Sequence, residues 1–117
     1  MANIVAGDLT YTIKPYPAGS RLEGSTPRYK NLVTIAFGGG SESYPANGVP
    51  LLGASLGMPQ AQVEKLLIVE AIGGLPNYWT YDSAHNTLRA VVFSTGVEVA
   101  TNASVAATTL VVEAQGY

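Results

Sequence analysis

The sequence predicts one all-β domain over residues 1–117, an antiparallel β-sandwich or jelly-roll-like barrel of about seven or eight strands with at most one short helical turn. Three observations lead there. Apolar and polar residues alternate with period 2 in segment after segment, as in half-buried strands. Clusters of Gly, Pro, Asn and Asp separate those segments at intervals of roughly 8–12 residues. Thr, Val and Tyr are plentiful beside 13 Gly and 7 Pro, the composition of loop-connected β proteins. With 47% hydrophobic residues, a chain this long buries roughly two-thirds of its unfolded surface, enough for one core and no second domain.

Asp8 to Lys14 puts Leu9, Tyr11 and Ile13 on one face and Thr10 and Thr12 on the other, giving the first strand. Pro15-Tyr16-Pro17 then removes two backbone donors and ends the ladder. Arg28 to Phe37 is the second strand, with a bulge expected near Asn31, and Gly38-Gly39-Gly40 closes it. Ser41 to Leu52 carries Pro45 and Pro50 around Asn47-Gly48, a pair that tolerates positive φ, so edge strands or a loop are expected. Gly57 to Leu67 has helical spacing at Val63, Leu66 and Leu67, yet Leu66 to Ile72 is β-rich and stops at Gly73-Gly74. A strand from about Glu64, preceded at most by a helical turn, satisfies both patterns. Asn77–Tyr81 and Thr87–Phe93 around Asp82–Asn86 form the clearest hairpin. Short strands at Val97–Ala100 and Thr108–Glu113 complete the set. Leu67, Val69, Leu88, Val92 and Val111, aliphatic residues of the most regular strands, are expected in the core. Ile4 to Ile13 and Thr108 to Ala114 lie near the chain ends, placed to pair with each other or with a neighbouring chain.

Composition narrows the function classes. Six Lys plus Arg against eight Asp plus Glu leave a net charge of −2 with no charge run, so no nucleic-acid partner is expected. Zero Cys excludes a disulfide framework, a thiol nucleophile and a Cys-based zinc site, and a single His builds no His cluster; no metal and no cofactor are expected. The longest aliphatic run, Leu66 to Val69, falls far short of the roughly 20 residues of a membrane-spanning helix, so no membrane is expected. Met1 to Asp8 shows neither a basic nor an apolar leader region, which predicts a chain that is not exported. Charged residues make up 12% of the chain, against a usual share of about 25%, a surface suited to being covered by a partner.

Candidate chemistry is sparse. Gly38-Gly39-Gly40-Ser41 follows a strand as a phosphate loop does, but no Lys and no helix follow it. Asp82 and His85 could relay a proton to Ser83 or Ser94, yet they share an exposed turn whose backbone Asp82 is better placed to cap. Glu64 and Glu70 share a strand face roughly 20 Å apart, too far for a two-carboxylate hydrolase. No catalytic residue is assigned, and a non-enzyme is expected. Asn102-Ala103-Ser104 matches a glycosylation sequon, and with no export signal in view a chance match is expected. On the hairpin, either Tyr78 or the Trp79/Tyr81 set faces the core and the other faces out. Tyr16 with Pro17, and Tyr44 with Pro45, lie in rigid loop-like segments and are the interface candidates.

Six blocks together resemble a group of small structural proteins of tailed bacteriophages: Met1–Thr12, Asn31–Gly38, Tyr44–Leu51, Val63–Val69, Tyr78–Arg89 and Thr109–Glu113. They span nearly the whole chain and consist of strand and turn patterns. The resemblance implies a capsid decoration (cement) protein, β-rich and often trimeric, that binds the major capsid protein outside the shell and clamps neighbouring capsomers. It implies a place on the virion, reached through the host cytoplasm during assembly. Proteins of that group often carry a longer segment where Ser94 to Ala107 is short here. A tail, baseplate or fibre module, with a carbohydrate-binding form using Trp79, Tyr78 or Tyr81, is the alternative.

Overall fold

Strand β4, Arg28–Phe37, organises the larger of two antiparallel sheets in the computed structural model, which describes residues 2–15, 21–22, 28–39, 42–73 and 77–117. Before it come β1 (Ala2–Asn3), β2 (Thr10–Pro15) and β3 (Arg21–Leu22). After it follow β5 (Glu42–Ser43), β6 (Val49–Pro50), β7 (Val63–Gly73), β8 (Asn77–Asp82), β9 (Thr87–Val92) and β10 (Thr108–Gly116). The larger sheet has the order β2-β4-β10-β7, with β3 continuing the line of β2 along β4; the smaller has the order β6-β9-β8. β1 and β5 form a separate parallel pair. The fold is therefore all-β and sandwich-like, as the sequence predicts. Its only helical elements among the described residues are 3-10 turns at Ala6–Asp8 and Ala54–Leu56.

Asn31, Val33, Ile35 and Phe37 alternate inward on β4 and are buried. The expected bulge near Asn31 is absent: β4 keeps an unbroken register with β2 and with β10. Asn31 stays in phase on the core face because its Nδ2 donates to the Leu56 carbonyl at 3.1 Å. The register shifts occur in β7 instead, at Val69 and again beside Gly116.

β10 is central rather than peripheral. It lies between β4 and β7, so the last strand pairs neither with β2 nor with a neighbouring chain. Its buried residues are Leu110, Val112 and Ala114, which turns Val111 to the other face, where it is half-buried. The core assignments of Leu67 and Val69 also fail, at 53% and 57% exposed. On β7, an edge strand, only Leu66 is buried, with Val63 and Ile68 half-buried. Leu88 is fully buried as expected, while Val92 is half-buried at the end of the smaller sheet.

The hairpin of β8 and β9 forms in the expected register, from Asn77↔Val92 to Asp82↔Thr87. Val97–Ala100 does not make a strand; it is held by the Val91↔Glu98 bridge and a Val99 N–H to Ala90 carbonyl bond of 2.9 Å. The stretch from Gly57 contains no helix, since the 3-10 turn precedes it and β7 starts at Val63. Val33, Ile35, Leu110 and Val112 meet Val49, Trp79, Leu88 and Ala90 in one core, sealed by Ile4, Leu56, Met58 and Val105 from the connections. Phe37 and Trp79 pack edge to face there, 5.0 Å between centroids at 86°.

Candidate functional site

Charged side chains on the smaller sheet, on its hairpin turn and on the segment beside it form one chain of contacts. His85 Nδ1 lies 2.8 Å from Asp82 Oδ2, and Arg89 Nε donates to the same oxygen at 2.7 Å. Arg89 also donates to both Glu98 oxygens, at 3.0 and 3.1 Å, and Glu98 accepts the Tyr44 hydroxyl at 2.5 Å. Asp82 Oδ1 takes the Ala84 N–H at 3.0 Å, the turn cap expected of it. Hydrogen bonds from His85 and then Arg89 hold the Asp82 carboxyl down at about 2. Among the described residues no hydrogen bond joins Ser83 or Ser94 to His85, and the His85 side chain lies on the exposed tip. The arrangement ties the hairpin to the segment around Glu98.

Tyr44, an interface candidate by sequence, is 1% exposed and belongs to the core. Its hydroxyl is the reason: besides donating to Glu98 it accepts the Ala90 N–H at 3.1 Å, so the phenol end is satisfied inside the fold. Burial, then the bond to Glu98, push its ionisation well up. Pro45 is half-buried and opens the tight turn closed by the Gly48 N–H to Pro45 carbonyl bond of 3.2 Å, with Asn47 at φ 66. Tyr16 and Pro17 lie outside the described residues. Tyr44→Phe strands the buried Ala90 N–H and is expected to cost about 1–3 kcal/mol in chemical denaturation. A midpoint equal to that of the parent protein would show that water replaces the hydroxyl.

Two carboxyl groups meet at a pocket of about 290 Å³ lined by Asp8, Thr10, Phe37, Glu42 and Thr108, among others. Asp8 closes the first 3-10 turn, its Oδ2 accepting the Val5 N–H at 2.9 Å. Glu42 lies on β5, and its Oε2 is shielded from solvent with no hydrogen-bond partner. A hydrogen bond with Asp8, then burial and the Asp8 charge, raise the Glu42 carboxyl above its ordinary range. Protonation of Glu42 relieves its repulsion with the neighbouring Asp8 carboxyl group. Because the folded-state value lies above the unfolded one, this contribution is present in acid and lost as pH rises through the folded value. Glu42→Gln is therefore expected to melt higher than the parent protein at neutral pH, with the gap closing toward acid. A pH-independent gap would show that the raised Glu42 carboxyl does not contribute to stability. Thirty-four positions separate the two residues, Asp8 at the start of the first alternating segment and Glu42 in the Pro- and Gly-rich stretch after the second, so nothing local in the sequence signals the pair.

The hairpin aromatics divide as the alternation required. Trp79 is 7% exposed in the core with Tyr81 packed against it, which removes Trp79 as a surface ligand platform. Tyr78 faces out and packs against Phe93, the rings tilted at 55° with centroids 4.9 Å apart and Phe93 63% exposed. Among the described residues no three Asp, Glu or His side chains are grouped to hold a metal ion, and no helix is long and apolar enough to cross a membrane. Comparison with protein-family models, curated proteins and solved structures yields no match to this chain.

Proposed function

We propose that the chain is a non-enzymatic structural protein of a virion, a capsid decoration (cement) protein. In this reading it binds the major capsid protein on the outer shell as a homo-oligomer, a trimer by resemblance, and stabilises contacts between capsomers. Its site of action is the capsid surface, after folding in the host cytoplasm. The observation that carries the reading is the surface of β7, where Leu67, Val69 and Ile72 are each more than half exposed on a chain with 12% charged residues. Such a strand is suited to burial against other protein. The near full-length likeness of its strand and turn blocks to small phage structural proteins supports the choice of partner.

The test is co-sedimentation with undecorated capsids at micromolar protein, followed by imaging of labelled protein on particles. Saturating binding over the whole shell is the expected result, and no binding would remove the proposal. Label confined to one vertex would favour the second reading, a tail, baseplate or fibre module with a carbohydrate-binding surface. That reading draws on the outward Tyr78–Phe93 pair, since exposed aromatic faces can bind sugar rings.

A further inference from the structure

The two edges of the larger sheet are built differently. β2 is six residues long and carries Thr10, Thr12, Lys14 and the donor-less Pro15, features that discourage pairing with another chain. β7 is eleven residues long, contains no Pro, and ends the sheet on its other side. Leu67, Val69 and Ile72 are 53%, 57% and 56% exposed along it.

Register supplies the second observation. Leu110, Val112 and Ala114 of β10 point into the core, so Val111, Glu113 and Gln115 mark the opposite face. Their partners on β7 are Glu70, Leu67 and Lys65. Lys65 and Glu70 are five positions apart and would fall on opposite faces of a regular strand. The register shift at Val69 brings them to the same face, each two ladder steps from Leu67 and on opposite sides of it.

We propose that β7 pairs edge to edge with β7 of a second copy of this chain, antiparallel and centred on Leu67. A two-fold axis at the Leu67 pair sets Lys65 of each copy opposite Glu70 of the other, so both charge pairs are matched. On the other face it sets Leu66 opposite Ile68, and Val63 opposite Ala71. Moving the axis one ladder step either way leaves Lys65 opposite Ile72 or Leu67, with its charge unmatched. The charge pattern thus selects one register, as a two-fold edge contact requires. The contact links chains in pairs, whether as single chains or as members of separate trimers, and it does not depend on a virion role.

The chain has no cysteine, so Leu67→Cys introduces a unique thiol. Directly opposed residues of an antiparallel pair have Cα atoms roughly 4.5–5.5 Å apart, within the span of a disulfide. Mild oxidation of Leu67→Cys is expected to give a covalent dimer, and the exposed β8 control Thr80→Cys is not. In sedimentation, Lys65→Glu is expected to weaken pairing by about tenfold or more, and adding Glu70→Lys to restore it. Cross-linking of Leu67→Cys no faster than of Thr80→Cys, or no rescue by the double reversal, would overturn the proposal. Association seen only when capsid protein is added would assign this edge to that partner and overturn it equally.

Discussion

Leu88→Ala and Leu110→Ala are each expected to lower the unfolding free energy by about 2–5 kcal/mol, whereas Leu67→Ala, in dilute solution, costs about 1 kcal/mol or less. Leu88 and Leu110 are both fully buried, one on each sheet, where they face each other's layer. Truncation there removes contact with close-packed neighbours and leaves a cavity that the sheets, held by their ladders, cannot collapse to fill. Leu67 is 53% exposed and points away from the core, so Ala removes little that folding had buried. Urea midpoints with unchanged slopes measure the difference. Equal losses at Leu67 and Leu88 would place β7 in the opposite phase.

That contrast also marks where the sequence was readable. The hairpin of β8 and β9 was legible because Tyr78, Trp79, Thr80 and Tyr81 alternate and the turn between is polar throughout. β4 was legible in extent, from Arg28 to Phe37, because three glycines stop it. Phase was the difficulty in β7 and β10. Leu66 to Val69 and Leu110 to Val112 are unbroken aliphatic runs, and a run without alternation does not say which residue faces in. On β7 the shift at Val69 adds an extra residue, which no local pattern announces. The order of strands was equally hidden: nothing near Thr108 says that β10 inserts between β4 and β7, because that choice is made by contacts distant in the chain.

The side-chain contacts follow the same division. Asp82 capping its own turn is a local event, and sequence spacing was enough to find it. Tyr44 beside Pro45 reads as a rigid rim residue, and the turn is where the sequence put it. Its ring turns inward because Glu98, fifty-four positions later, and the Ala90 N–H supply partners that a local reading does not contain. Asn31 is the mirror case, a polar residue drawn to the core face by a carbonyl on the turn at Leu56.

Gly57 is where that turn and that amide constrain each other, and Gly57→Ala is expected to cost about 2–5 kcal/mol in total. Gly57 ends the Ala54–Leu56 turn at φ +85, with its N–H donating to the Ala54 carbonyl at 3.1 Å. A left-handed conformation costs a residue with a Cβ roughly 1–2 kcal/mol. The Cβ would also overlap the Asn31 Nδ2, the group that donates to the Leu56 carbonyl. Asn31 is 1% exposed and its Oδ1 already lacks a partner, so displacing the amide leaves a wholly unsatisfied buried group, at about 1–3 kcal/mol. Gly7→Ala is the control, since a Cβ there meets nothing within 4 Å, and little change is expected. In an Asn31→Ala background the amide is gone, so the added cost of Gly57→Ala should shrink to the backbone share of about 1–2 kcal/mol. An undiminished cost in that background would mean that the penalty at Gly57 does not pass through Asn31.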